Sequence, residues 1–148
     1  MSAENRQVLD VDVLFVGAGS ASLAGALHLK KLTDKAGLDI SIAIIEKARE
    51  IGAHSLSGAI IDPRALNELI PDYLEQCVPF EGEVTEENMY YLSSKRKIRF
   101  PYIPKSMSHK GCFVASLGQF TRWLGKICEK EGIDIFCGFS GTELLHED

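Results

Sequence analysis

Residues 12–26, DVLFVGAGSASLAGA, decide the fold. The β-branched and aromatic run Val13-Leu14-Phe15-Val16 predicts a fully buried strand at about 11–16. It runs directly into Gly17-Ala18-Gly19, after which small residues open a helix. Strand, glycine turn and helix in that order make a cradle for a phosphate. Gly17 permits the tight turn, and Gly19 has no side chain to hold a pyrophosphate off the backbone. The first free N–H groups of the helix then point at the anion. The third glycine of such a turn is missing here.

Working outward, the helix is expected over 20–36, with Leu23, Ala26, Leu27 and Leu32 on its apolar face and Lys30, Lys31 and Lys35 outside. Gly37 stands at its C-cap position, and His28 reads as a surface or half-buried histidine. A second strand, ISIAII at 40–45, ends in Glu46. In a strand–helix–strand unit that holds a dinucleotide, an acid at this point reaches back to the adenosine ribose hydroxyls. The interval from Gly17 exceeds the ~20 residues of a short nicotinamide fingerprint, so the crossover is long. Lys47 gives no strong signal for a 2′-phosphate.

The segment after it carries Gly52, Ala53, Ser55, Ser57, Gly58 and Ala59, too small and polar for a core. Small residues on a loop let backbone approach something flat or anionic. Asp62-Pro63 starts a short helix bearing Leu66, Leu69 and Ile70, Pro71 ends it, and Tyr73-Leu74 begins another helical piece. Around 79–105 the text alternates loosely and predicts an inserted antiparallel arm, with Tyr90, Tyr91 and Tyr102 as strand packing. The cluster Lys95-Arg96-Lys97 reads as a solvated turn. A strand at 113–115 then leads into a helix over 117–132, whose apolar face is Leu117, Phe120, Leu124, Ile127 and Cys128. IDIFCG gives another strand and TELLHED a last extended piece.

The chain has 148 residues, 45% hydrophobic and 25% charged, with a formal net charge of -5. That suits one soluble core and, lacking a basic stripe, argues against nucleic acid. No apolar run reaches the ~20 residues of a membrane helix. The opening MSAENRQVLD, expected to be a loosely held tail over 1–10, resembles neither a secretory signal nor a transit peptide, so the chain reads as soluble without a targeting signal. None of the four cysteines forms a C-x-x-C pair, so no metal site is expected and free thiols fit best. No His/Asp/Ser constellation converges, and no catalytic residue is assigned.

Three blocks carry a resemblance: VGAGSASLAGALHLKKL, then IIEKAREIGAHSLSGAIIDPRALNELIPDY, then VASLGQFTRWLGKICEKEGIDIFCGFSGTELL. Together they resemble the N-terminal part of the electron-transfer flavoprotein–ubiquinone oxidoreductases, the GAHSLSG block being the most specific. The resemblance implies an α/β fold: a Rossmann-like, glutathione-reductase-type FAD-binding domain over 11–148, truncated, with a parallel sheet and the inserted arm. It implies FAD as cofactor, electron-transfer flavoprotein and ubiquinone as partners of the whole protein, and a peripheral place on the inner membrane. A 4Fe-4S cluster, the quinone region, a membrane-surface patch and a second flavin motif are expected only in the family's further length. Position by position, Gly17 and Gly19 would hold the FAD pyrophosphate and Glu46 the adenosine ribose. The backbone of Gly52–Ala53 and Ser57–Gly58 would approach the cofactor from the loop. Ser20, Ser22, Lys47, Ser116 and Arg122 complete the candidate set, although Arg122 could equally pair with Glu129 or Glu131.

The family's GAGPAG stands here as GAGSAS. Ser22 replaces the glycine at which helix and strand are expected to pack closest, an overpacking that commonly costs ~1–3 kcal/mol. The fold is expected to survive, the isolated chain to bind FAD in the micromolar range or worse (about −8 kcal/mol), and turnover to be absent. The alternative reading is a flavin-free structural or interaction remnant.

Overall fold

The computed structural model describes residues 8–146. They form two compact units, one made of residues up to 54 together with those from 121 onward, the other of residues 55–120.

The first unit is a parallel three-stranded sheet with the order β1 (Val13–Val16), β2 (Ile42–Glu46), β8 (Asp134–Cys137). Phe15 pairs with Ile44 and Ile44 with Ile135, so β2 is central. Helix α1 (Ser20–Ala36) crosses from β1 to β2. Its start at Gly19 and its stop at Gly37, which takes a left-handed φ of 68°, follow from local backbone chemistry. Leu23, Ala26 and Leu27 are buried against the sheet, whereas Leu32 is 52% exposed and does not join the apolar face. One strand face carries Val13, Phe15, Ile42, Ile44 and Ile135, and α1 lies on it, a Cβ at Gly25 coming 3.3 Å from Phe15 Cε1. The later part of α3 (Leu117–Lys130) packs on α1, where the Cys128 thiol donates to the Leu23 carbonyl at 3.4 Å.

One expectation needs correction here. The first strand is not buried on both faces: Leu14 is 49% and Val16 64% exposed, because among the described residues no layer covers the face they share. Helix α1 runs unbroken through Ser22.

The second unit is antiparallel. β7 (Phe113–Ser116) lies between β3 (Gly58–Ile61) and β4 (Phe80–Glu83). Phe80 stacks on Phe113 with ring centroids 4.4 Å apart, and Tyr73 packs edge-on to Phe80. The segment expected to be loop therefore contains a strand, since Ala59, paired with buried Ala115, is small enough for the sheet to close. Short helix α2 (Arg64–Leu69) follows Asp62, whose Oδ1 accepts the Arg64 N–H at 3.0 Å. Around Tyr73-Leu74 the chain turns without becoming helical. Beyond lie the hairpin β5 (Tyr90–Leu92) and β6 (Lys97–Arg99) and a single 3-10 turn at Lys105–Met107. Tyr90, Tyr91 and Tyr102 are exposed, because among the described residues no layer covers this two-stranded ribbon; they do not pack a core. Residues 1–7 and 147–148, which include most of the expected tail, lie outside the described residues.

Candidate functional site

Parallel strands put their carboxyl ends on one edge, and in open α/β sheets ligands bind at that edge. Here the edge collects three chain segments: Gly17–Gly19 after β1, Glu46–Lys47 after β2 and residues 138–141 after β8. Gly17 holds a φ of 95°, a backbone state that an L side chain rarely adopts. Its N–H donates to the Ile45 carbonyl at 2.7 Å, which ties the turn to β2. Gly19 is the N-cap of α1, and a Cβ there would have no neighbour within 4 Å. Neither a side-chain cap nor an acidic residue in the first turn satisfies the opening N–H groups of this 17-residue helix.

Glu46 reaches back to this turn. One carboxylate oxygen accepts the Ala18 N–H and the other the Ala48 N–H, each at 2.8 Å. The Ala48 N–H first, with the Ala18 N–H, holds the carboxyl below its ordinary range against the opposing pull of partial burial. A carboxylate offers about four acceptor positions, so two remain for a ligand. A cleft of about 240 Å³ opens beside it, lined by Gly17, Glu46, Lys47, Phe139, Ser140 and Gly141 among others. Backbone bonds hold the far wall: Phe139 N–H to the Glu46 carbonyl at 2.9 Å and Gly138 N–H to the Ala48 carbonyl at 2.8 Å.

Gly17, Gly19, Ser20 and Ser22 thus stand on one turn, with Glu46 and Lys47 beside it. In the same unit Gly52 takes a φ of 77°, and Ala53 N–H donates to the Glu50 carbonyl. Arg122 pairs with neither Glu129 nor Glu131; its guanidinium donates to Glu50 Oε1 at 3.4 Å, and its Nε is buried with no partner among the described residues. Glu129 lies about two turns further along α3 and Glu131 just past its end, too far for the side chain, whereas the loop after β2 brings Glu50 near. Ser57, Gly58 and Ser116 gather in the other unit, where Gly58 pairs with Ser116 and the Ser57 carbonyl accepts the Leu117 N–H at 3.2 Å. Two participants were missed by sequence reasoning: the Ala18 N–H and the Phe139-Ser140-Gly141 wall. The sequence CGFSG directly after a parallel strand was the available signal for the wall.

No group of His, Cys, Asp and Glu among the described residues could hold a metal ion, and His109 is taken by Glu87, Nδ1 to Oε1 at 2.9 Å. No helix among them is long and apolar enough to cross a membrane.

No protein-family model matches the chain. The mitochondrial electron transfer flavoprotein–ubiquinone oxidoreductase of Dictyostelium discoideum is 43% identical over 93% of this chain and 22% of that protein. The enzyme of that name from Pseudomonas aeruginosa is 41% identical over 97% of this chain and 26% of that protein. Among solved structures, a geranylgeranyl bacteriochlorophyll reductase-like protein from Thermoplasma acidophilum matches with a TM-score of 0.66 at 21% identity, covering 93% of this chain and 32% of that one. The flavin-dependent monooxygenase PieE, solved with FAD and substrate, matches with a TM-score of 0.61 at 16% identity, covering 88% of this chain and 24% of that one. The chain spans about a quarter of the length of the curated relatives it matches. It has the α/β fold of FAD-dependent oxidoreductases and matches, over nearly all of its own length, the N-terminal portion of the electron transfer flavoprotein–ubiquinone oxidoreductases.

Proposed function

We propose that this chain is the FAD-binding portion of an oxidoreductase that passes electrons from reduced electron-transfer flavoprotein to ubiquinone. The observation that carries the reading is the Glu46 carboxylate, held by the Ala18 N–H beside an uncapped helix start, with a cleft open next to it. FAD supplies the capacity to accept and release electrons; the chain supplies its grip. Gly17, Gly19, Ser20 and Ser22 receive the pyrophosphate on backbone N–H groups, and the free lone pairs of Glu46 take the ribose hydroxyls, with Lys47 at the cleft wall. Gly52 and Ala53, and in the other unit Ser57, Gly58 and Ser116, are the further backbone and hydroxyl groups for the cofactor. The orphaned Arg122 Nε fits a donor that has a ligand to meet.

An iron–sulfur cluster, the ubiquinone site and the catalytic cycle belong to the further length of such a protein, so the isolated chain binds FAD weakly and does not turn over. For the peripheral membrane position of the whole protein we depart from the sequence reading, which takes Lys95-Arg96-Lys97 as a solvated turn and expects the membrane patch only in the further length: the β5–β6 hairpin is proposed to contribute to it. There exposed Tyr91, Leu92, Ile98 and Tyr102 flank Lys95, Arg96 and Lys97, a mixture suited to an anionic lipid surface.

Gly19→Ala tests the reading cleanly. The new Cβ meets nothing within 4 Å and φ is -76°, so the fold is expected to be unchanged. The methyl group would occupy the pyrophosphate's approach and weaken FAD by at least about 10-fold, or ~1.4 kcal/mol. Equal FAD titrations for both proteins would overturn the assignment. The second reading, a flavin-free structural or interaction remnant, is favoured by Ser22 in place of glycine at the nucleotide turn. The absence of saturable FAD binding at any concentration would select it, whereas a chain still stoichiometrically yellow after dialysis would refute both it and the expectation of weak binding.

A further inference from the structure

The loop after β2 is tied down at both ends within the first unit. At its start Ala48 is buried, its N–H held by Glu46 and its carbonyl by the Gly138 N–H. Further on, Ile51 is buried while Arg49, Glu50, Ala53 and His54 around it face solvent. Its seat is Gly125 on α3, where a Cβ would stand 2.5 Å from Ile51 Cδ1, 3.4 Å from Cγ2 and 3.6 Å from Cγ1. Carbon atoms pack at about 3.5–4.0 Å, so Ile51 fills the space that a side chain at 125 would take. Gly125 has no left-handed φ, and glycine is unfavourable inside a helix, so what explains it is the close approach it admits. Arg122, three residues earlier on the same face of α3, donates to Glu50 Oε1 at 3.4 Å. One helix face thus holds two successive loop residues, Glu50 and Ile51, immediately before the chain turns at Gly52 with a φ of 77°.

We propose that Ile51 and Gly125 are positioning residues for the cofactor: the side chain of one, seated in the notch left by the other, fixes where the Gly52–Ala53 backbone stands. This role rests on the FAD reading above and adds that α3 is the template for the cofactor loop. Neither residue need touch the cofactor. Ile51 supplies the depth of the seat and the Glu50–Arg122 pair its direction along the helix. Supporting residues of this kind matter because a loop displaced by about 1 Å presents its N–H groups at the wrong distance.

The loop is read both without flavin and with it. In the flavin-free chain, hydrogen exchange at the Gly52 and Ala53 amides is expected to quicken by about 10-fold in Ile51→Ala and in Gly125→Val. FAD binding, titrated where circular dichroism shows each variant folded, weakens by about 10-fold in both. Ile51→Ala combined with Gly125→Val refills the seat from the helix side and recovers the affinity to within about 3-fold of native. Ile127→Ala removes another buried side chain of α3; it lowers the urea midpoint and leaves FAD affinity unchanged. Unchanged exchange or unchanged FAD binding in the single variants overturns the proposal while the FAD reading stands. Additive losses in the double variant, or an equal loss from Ile127→Ala, do the same. A native chain with no saturable FAD binding overturns the FAD reading and this role with it, and the exchange rates then still report whether Ile51 seats the loop.

Discussion

Replacing Glu46 by Gln probes the clasp on which the site depends. The native carboxylate accepts two backbone N–H groups at 2.8 Å, from Ala18 and Ala48. Glutamine keeps one acceptor oxygen and turns an NH2 group toward the other donor, so one of these N–H groups loses its partner. A hydrogen bond to a charged group contributes ~1.5–3 kcal/mol; Glu46 is only half-buried, and water screening places the cost near the lower end, ~1.5–2 kcal/mol. At ~2–4 °C per kcal/mol for a chain of this size, Tm falls by about 5 °C. The pH dependence follows from linkage. The folded-state pKa of Glu46 is lowered from 4.5, so its contribution is fully present above the ordinary carboxyl range. It is lost as the pH falls through the folded value, because the unfolded chain binds the proton first. Urea unfolding followed by circular dichroism at pH 7 and again near pH 3.5 measures both effects. A difference below ~0.5 kcal/mol at pH 7, or one that does not shrink in acid, refutes the reasoning. The same variant is expected to weaken FAD, since its ribose acceptor loses charge.

On α3, a Cβ at Gly125 would sit 2.5 Å from Ile51 Cδ1. Gly125→Ala is therefore expected to stabilise the helix by ~1 kcal/mol more in an Ile51→Val background than in the native one, a coupling read from a double-mutant cycle of urea midpoints. The buried Cys128 thiol is pushed up to about 12 by desolvation, so a disulfide exchange reagent reaches it only on unfolding while exposed Cys77 reacts at once. Stability correspondingly falls as the pH rises above the unfolded thiol value of 9.0 toward that figure, because only the unfolded chain ionises; Cys128→Ser flattens this alkaline slope. On the β5–β6 hairpin, replacing Lys95, Arg96 and Lys97 by Glu is expected to abolish flotation with anionic vesicles at ~1 kcal/mol per charge, and unchanged flotation counts against the membrane reading.

What the sequence by itself determined is the local chemistry of the nucleotide turn. A glycine is needed where φ is 95° at Gly17, which turns the chain out of β1, and 68° at Gly37, which stops α1, and both follow from adjacent residues alone. The acid that closes β2 and the apolar spacing of α3 were legible for the same reason, since each depends on a period along one element. The tertiary structure decided what depends on neighbours distant in sequence. VLFV reads as a buried strand whether one face is covered or two, and only the layer arrangement leaves Leu14 and Val16 in the open. Arg122 meets Glu50 because a loop 72 residues away folds beside it. Residues 138–141 become a wall of the cleft because parallel pairing sets the end of β8 beside the end of β2.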